Sequence, residues 1–220
     1  MGFRLRSGLH CCAFDGRLIF LDLCTDRYFC LSERAEAEFA MLMREETNGE
    51  VDLQPGSFLL RSGIVEHSHS ARIELCRSLP IPQPSALDWR GSQASGTDKM
   101  SALATLTVVK AHLRLRGLAR AIDALVRVKA RSLTVEARFR EVARAADALA
   151  WTARWGRSHD QCLPRSLAAA RLLLRRGANV DFVIGVRLRP FEAHSWAQSG
   201  DVIVNDRFEH VRNYQPILVV

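Results

Sequence analysis

The sequence predicts an α+β protein in two parts. A small winged-helix-like module spans residues 1–77, and a larger unit spans residues 101–220, in which helices precede a strand and a hairpin. Three observations predict this. Short strand-like runs separated by turn residues occupy residues 10–31. The stretch "SLPIPQPSALDWRGSQASGTDKM", residues 78–100, is rich in Pro, Ser and Gly and reads as a linker. Beyond it, apolar residues recur at helical spacing and then give way to β-branched and alternating runs.

In the first part, "HCCAF", Asp15-Gly16 and "RLIFLDL" form a hairpin signal, two strand-like runs around a D-G turn. A second turn at Cys24-Thr25-Asp26 leads to "RYFCL", a short aromatic strand. Ser32 then caps a helix whose first turn is acidic and which carries Phe39, Leu42 and Met43 on one face. "DLQPGSFLLRSGIVEH" adds a further helical turn ending near Gly63. The order is three strands followed by helices.

In the second part, Leu103, Leu106, Val109 and Leu113 keep a helical period over 101–130, and Val135, Phe139, Val142 and Ala146 keep one over 134–153. Their polar faces are rich in arginine. "CLPRSLAAARLLLRR" reads as a third helix with a stripe of Leu163, Leu167, Ala170 and Leu174, stopped by Gly177. "NVDFVIGVRL" is a strand, and "FEAHSWAQ" and "VIVND" flank Ser199-Gly200-Asp201 as a three-residue hairpin loop.

Totals exclude several classes. Apolar residues make up 48% of the chain and charged ones 25%, an ordinary balance for a folded domain. No run of about 18 apolar residues occurs, so no membrane span is expected. The N-terminus lacks the apolar core and cleavage site of a secretory signal, which predicts a cytoplasmic protein with reduced thiols. The six cysteines form no C-x-x-C pair, and His67, His69 and Cys76 lack a fourth ligand, so no metal is expected. The net charge of +7 is unevenly spread. Residues 1–77 carry 9 basic and 12 acidic side chains, whereas residues 78–157 carry 14 and 6. The acidic balance of the first part argues against a nucleic-acid reader, whose positive charge lies on its reading face.

The candidate chemistry lies at the C-terminal end. With the three-residue loop, Gln198 faces Val202 and His194 falls opposite Asp206, within reach of a shared hydrogen bond. A two-residue loop of Ser199-Gly200 instead pairs His194 with Asn205. Cys162 opens a helix, where unpaired N–H groups and a partial positive charge favour a thiolate. The hairpin can bring His194 near it. Cysteine, histidine and aspartate in this order have the logic of a papain-type thiol nucleophile. The Cys162 N–H is the first candidate oxyanion donor and Gln161 the second.

These segments also carry a resemblance. "CLPRSLAAARLLLRRG", "FVIGVRLRPFEAHSWAQ" and "VIVND" resemble the leader peptidase, or B protein, of lasso-peptide biosynthesis, a transglutaminase-like, papain-related family. The likeness covers about residues 100–220 and rests on Cys-Leu-x-Arg-Ser-Leu, Gly-Val, Pro-Phe, Ala-His-x-Trp and Asn-Asp. It implies Cys162 as nucleophile, His194 as general base and acid, and Asp206 as the orienting carboxylate. The sequence departs at Ser195, where alanine is common, and at Gln198, where glutamate is common.

"LIFLDLCTDRYFCLSERAEAEFAML" is similar to the leader-recognition domain of ribosomally made, modified peptides. That likeness implies that a precursor leader adds a strand beside Arg27, Tyr28, Phe29, Cys30 and Leu31, against a helix. The whole chain thus resembles a recognition domain fused to a peptidase. The implied partners are a lasso-peptide precursor and an asparagine-synthetase-like macrolactam cyclase. ATP is expected to serve that cyclase, and the chain itself needs no cofactor. A scaffold that only carries the leader is the alternative.

Overall fold

The computed structural model describes residues 2–45, 57–69, 73–82, 84–89, 94–132, 139–153 and 161–220. The chain forms two compact units, Met1–Arg77 and Ser78–Val220.

The first unit is built on a meander of three antiparallel strands, β2 (Leu9–Phe14), β3 (Arg17–Asp22) and β4 (Arg27–Cys30), in the order β2-β3-β4. Asp15 and Gly16 turn the first hairpin at φ 51° and 76°, as the D-G signal predicts, and Phe14 faces Arg17. Helix α1 (Glu33–Glu45) follows, with the Ala35 N–H directed at the Ser32 hydroxyl. Glu36 docks this helix on β3 by accepting from the Leu18 N–H at 2.6 Å and from Arg17 at 2.9 Å. Phe39 and Leu42 point into a core with Phe20, Leu31 and Leu59.

Helix α2 (Phe58–Arg61) is the short helical turn expected before Gly63, capped by Ser57. Residues 52–56 of that expected segment lie outside the described residues. The sequence reading missed two strands. β1 (Gly2–Leu5) and β5 (Val65–Ser68) pair antiparallel, with Phe3 and Val65 buried in the same core. Neither strand has a turn signal joining it to its partner, because some 60 residues separate them in sequence.

In the second unit the long helix α3 (Gly96–Arg131) is broken at Gly117, whose φ of 77° and ψ of 177° are not helical. Ser95 and Asp98 form a reciprocal capping box at its start. Helix α4 (Phe139–Thr152) follows. Val135, assigned to this helix from sequence, lies outside the described residues. Helix α5 (Cys162–Arg175) runs beneath the C-terminal sheet and packs on α3 and α4. It is buried almost all round, rather than along the single stripe its periodicity suggested, because it is covered on both sides.

Gly177, at φ 77°, ends α5 in a Schellman motif, with the Ala178 N–H on Leu173 O and the Gly177 N–H on Leu174 O. Buried Asp98 ties the helices together. Its carboxylate accepts from Arg144 of α4 at 2.6 Å and from Arg176, just past α5, at 2.9 Å.

The sheet comprises β6 (Asp181–Leu188), β7 (Phe191–Ser199), β8 (Val202–Ile203) and β9 (Gln215–Val219) in the antiparallel order β8-β7-β6-β9, with the short helix α6 (Phe208–Val211) before β9. The hairpin register differs by one from that expected. Ser199 pairs with Val202 and Gln198 with Ile203, so the loop is Gly200-Asp201. Gly200, at φ 60°, takes the positive-φ first position of a two-residue loop.

The segment read as a linker is partly packed. Ser85 bridges Ile203 in parallel, the Ile203 N–H donates to Pro84 O, and Ser85 and Ala86 are buried. A short extended stretch with few side-chain demands suits the open edge of β8. Among the described residues, no helix is long and apolar enough to cross a membrane.

Candidate active site

Cys162 stands at the first position of α5. Gln161 precedes it at the cap position without a side-chain cap bond, and Pro164 brings no N–H to the first turn. The thiol is half-buried, with His194 on β7 among its polar neighbours. Burial alone pushes its pKa up. The neighbouring His194 and the polar groups of Ser195 outweigh that and hold it below the ordinary thiol value. The Ser195 hydroxyl is buried and, among the described residues, makes no hydrogen bond of good geometry.

Three other cysteines behave differently. Burial raises Cys11 and Cys12 to about 12 and Cys76 to about 11. Those thiols stay protonated, and Cys11 and Cys12 pack as small apolar groups.

His194 uses Nε2 to bond Asp206 Oδ2, which leaves Nδ1 for the sulfur. Burial works against the imidazolium. The hydrogen bonds to Asp206 and Cys162 reverse this and raise its pKa to about 9. Asp206 is held below the usual carboxylate range despite burial, because His194 and the Arg207 N–H, at 2.7 Å from Oδ1, stabilise its charge. The Ser85 hydroxyl donates to the Asp206 carbonyl at 2.5 Å. The imidazole lies against Tyr214, with ring centroids 5.2 Å apart, and Trp196, at 6.4 Å. The Trp196 N–H donates to Gln198, whose amide donates in turn to Pro80 O.

The fold therefore brings together all three residues expected from sequence, but by a different route. The cross-strand neighbour of His194 on β6 is Gly185. β8 ends at Ile203, so Asp206 is not on the ladder opposite His194. It reaches the imidazole from the segment after the strand. Asn205, the alternative partner, instead accepts the Ala197 N–H at 2.8 Å and donates to Ser166 Oγ at 2.9 Å. Sequence reasoning assigned no role to Ser166 or Ser85. The signal for Ser166 was its position four residues after Cys162, one helical turn on.

A second feature belongs to the first unit. β4 is an edge strand of the three-stranded sheet. Along it Phe29 and Leu31 turn inward, Phe29 stacking on Phe20 at 5.2 Å, while Arg27 and Cys30 are exposed and Tyr28 is half-buried. Beside the strand lies a recess of about 330 Å³ lined by Arg6, Phe29, Leu31, Phe58 and Ile64. Among the described residues no cluster of three or more His, Cys, Asp or Glu side chains could hold a metal ion.

Comparison with known proteins adds two similarities. The chain is 44% identical over 47 residues to the microcin J25-processing protein McjB of Escherichia coli, a match covering 21% of this chain and 23% of that protein. The chain thus aligns with about a quarter of the length of the curated relative it matches. No solved structure matches it. The family model of the transglutaminase-like superfamily matches residues 105–219, the stretch that contains Cys162, His194 and Asp206, and the chain belongs to that superfamily.

Proposed function

We propose that the chain is a cysteine peptidase that binds the leader of a lasso-peptide precursor and cleaves it from the core. The observation that carries this reading is the Cys162–His194–Asp206 constellation, a lowered thiol pKa beside a raised imidazole pKa on a transglutaminase-like domain. The similarity to a microcin-processing protein supports the substrate class.

The chemistry follows from the charges. The Cys162 thiolate attacks the carbonyl carbon of the leader–core junction, and the negative charge moves to the carbonyl oxygen. The Cys162 N–H is the nearest backbone donor for that oxyanion, with Gln161 the second candidate. As the C–N bond breaks, the His194 imidazolium gives its proton to the departing amine, which becomes the core N-terminus. Neutral His194 then takes a proton from water, whose oxygen attacks the thioester. The leader leaves with a free carboxylate, and the thiolate–imidazolium pair is restored. Asp206 holds the ring with Nδ1 toward sulfur and stabilises its charge.

In this reading the first unit is the winged-helix-like leader-recognition module. The leader adds a strand to the open edge of β4, and one of its apolar side chains enters the recess beside Phe29 and Phe58. Tethering both functions in one chain raises the effective concentration of the junction near the thiol. The freed amine is the substrate of an ATP-using, asparagine-synthetase-like cyclase, and the peptidase acts in the cytoplasm without a cofactor.

The test is to mix the purified chain with a precursor peptide and weigh the fragments. The expected products are free leader and free core, and Cys162→Ala should abolish them. Core release by Cys162→Ala at the wild-type rate would leave the protein as a leader-carrying scaffold. A leader mass raised by an added amine would make it an acyl transferase.

A further inference from the structure

Three side chains with separate origins must meet for the proposed chemistry: Cys162 on α5, His194 on β7 and Asp206 after β8. None of the three fixes the positions of its own backbone relative to the others. One polar group touches all three segments. The Ser166 hydroxyl, fully buried at 0% exposure, lies 2.8 Å from the carbonyl oxygen of Cys162 and 2.8 Å from that of Ser195, the residue after His194. It also accepts from the side-chain amide of Asn205, the residue before Asp206, at 2.9 Å.

The proton assignment is determined. The Ala197 N–H donates to Asn205 Oδ1 at 2.8 Å, so the Asn205 amide must present its NH₂ to Ser166. Ser166 Oγ therefore accepts there, and its single proton serves the two carbonyls. A serine bonding back to the carbonyl four residues earlier is common in helices and by itself signifies little. Here the same oxygen also grips the strand bearing the imidazole and the loop bearing the carboxylate.

We propose that Ser166 and Asn205 are positioning residues that set the register between the sulfur, the imidazole and the carboxylate. This rests on the peptidase reading for its kinetic consequence. Neither side chain needs to touch the peptide. Losing the Ser166 oxygen leaves a buried amide donor and a shared carbonyl pair without their partner, and the three segments relax independently. Small displacements of this kind cost about 10²-fold in rate when they disturb a nucleophile and its base.

The experiment uses the full-length chain with Ser166→Ala, Asn205→Ala and the double variant. Each single variant should lower kcat for precursor cleavage about 10- to 100-fold while leaving KM within about threefold, because only the reacting geometry changes. The double variant should be no more than about threefold worse than the poorer single one, since both act through one hydrogen bond. Alkylation of Cys162 by iodoacetamide across pH reads the same geometry without any peptide. Its acid limb should move to higher pH as the bond to His194 loosens. A wild-type chain that cleaves no precursor, yet shows this shift in the variants, would reject the peptidase reading and keep the positioning role. Folded variants with wild-type kcat and an unmoved alkylation limb, or losses that multiply in the double variant, overturn the proposal. If Ser166→Ala does not fold by circular dichroism, Asn205→Ala, at a half-buried position, decides alone by the same two readouts.

Discussion

Cys11, Cys12 and Cys162 are one residue type in two kinds of surroundings. The first two are buried, where desolvation acts first and neighbouring thiols add to it, and their pKa rises to about 12. Cys162 is also desolvated, but an imidazole and the Ser195 donors more than offset it. The thiolate–imidazolium pair persists between the lowered thiol pKa and the His194 value of about 9. His194 is a cation whose pKa is raised, so its proton is present below about 9 and lost as pH rises through that value. kcat/KM should therefore fall on the alkaline side near pH 9. Asp206→Asn removes the carboxylate that raises this pKa, so the alkaline limb should move to lower pH while kcat/KM drops by about 10²- to 10⁴-fold. A pH–rate series on both proteins checks this, and an unmoved limb would remove Asp206 from the assignment.

Among the elements, the β6–β7 pair carries the imidazole and its aromatic backing. Gly185 sits opposite His194, and a Cβ built there would lie 2.8 Å from the Trp196 ring and 2.9 Å from Tyr214 Cβ. Both rings flank the imidazole, so the absence of a side chain at Gly185 lets the rings close over the strand. Gly185→Ala should cost about 1–3 kcal/mol by overpacking. It should also slow turnover, since relief of the clash displaces the rings beside His194. Thermal melting and initial rates measured together test this, and an alanine variant unchanged in both would show that the strand yields easily. The expected hairpin loop of Ser199-Gly200-Asp201 misjudged one residue. Ser199 stays in the strand, its hydroxyl donating to Asn179 O at 2.7 Å, and Gly200 alone supplies the positive φ. Turn composition could not separate these loops, because the same Gly serves either.

On the scale of the whole molecule, two units divide the proposed work. In the proposed function leader recognition falls to the first unit, Met1–Arg77, and bond cleavage to the second, Ser78–Val220. The two should be separable in kinetics. Phe58 lines the recess beside β4 and is 47% exposed, so its removal opens no core cavity. Phe58→Ala should raise KM for a precursor about tenfold, near the scale of one aromatic contact, with kcat unchanged. Cleavage of a short junction peptide lacking the leader should not respond. Steady-state kinetics on the two substrates checks it, and an equal effect on both would place Phe58 outside leader binding.

The sequence by itself determined the elements whose signals are local. The D-G turn at Asp15-Gly16, the stop at Gly177, the helix opening at Cys162 and the strand bearing His194 each depend on a few adjacent residues and their backbone preferences. The three candidate site residues were legible because each is a chemically distinctive residue next to such a signal. Tertiary structure alone decided what depends on residues distant in the chain. It paired β1 with β5, laid residues 84–86 along the edge of β8, and buried α5 all round. It also brought Asp206 to His194 from outside the ladder and closed the Ser166–Asn205 contact. Those contacts hinge on burial and on the satisfaction of polar groups across 12 to 121 residues of separation, for which no nearby sequence pattern exists.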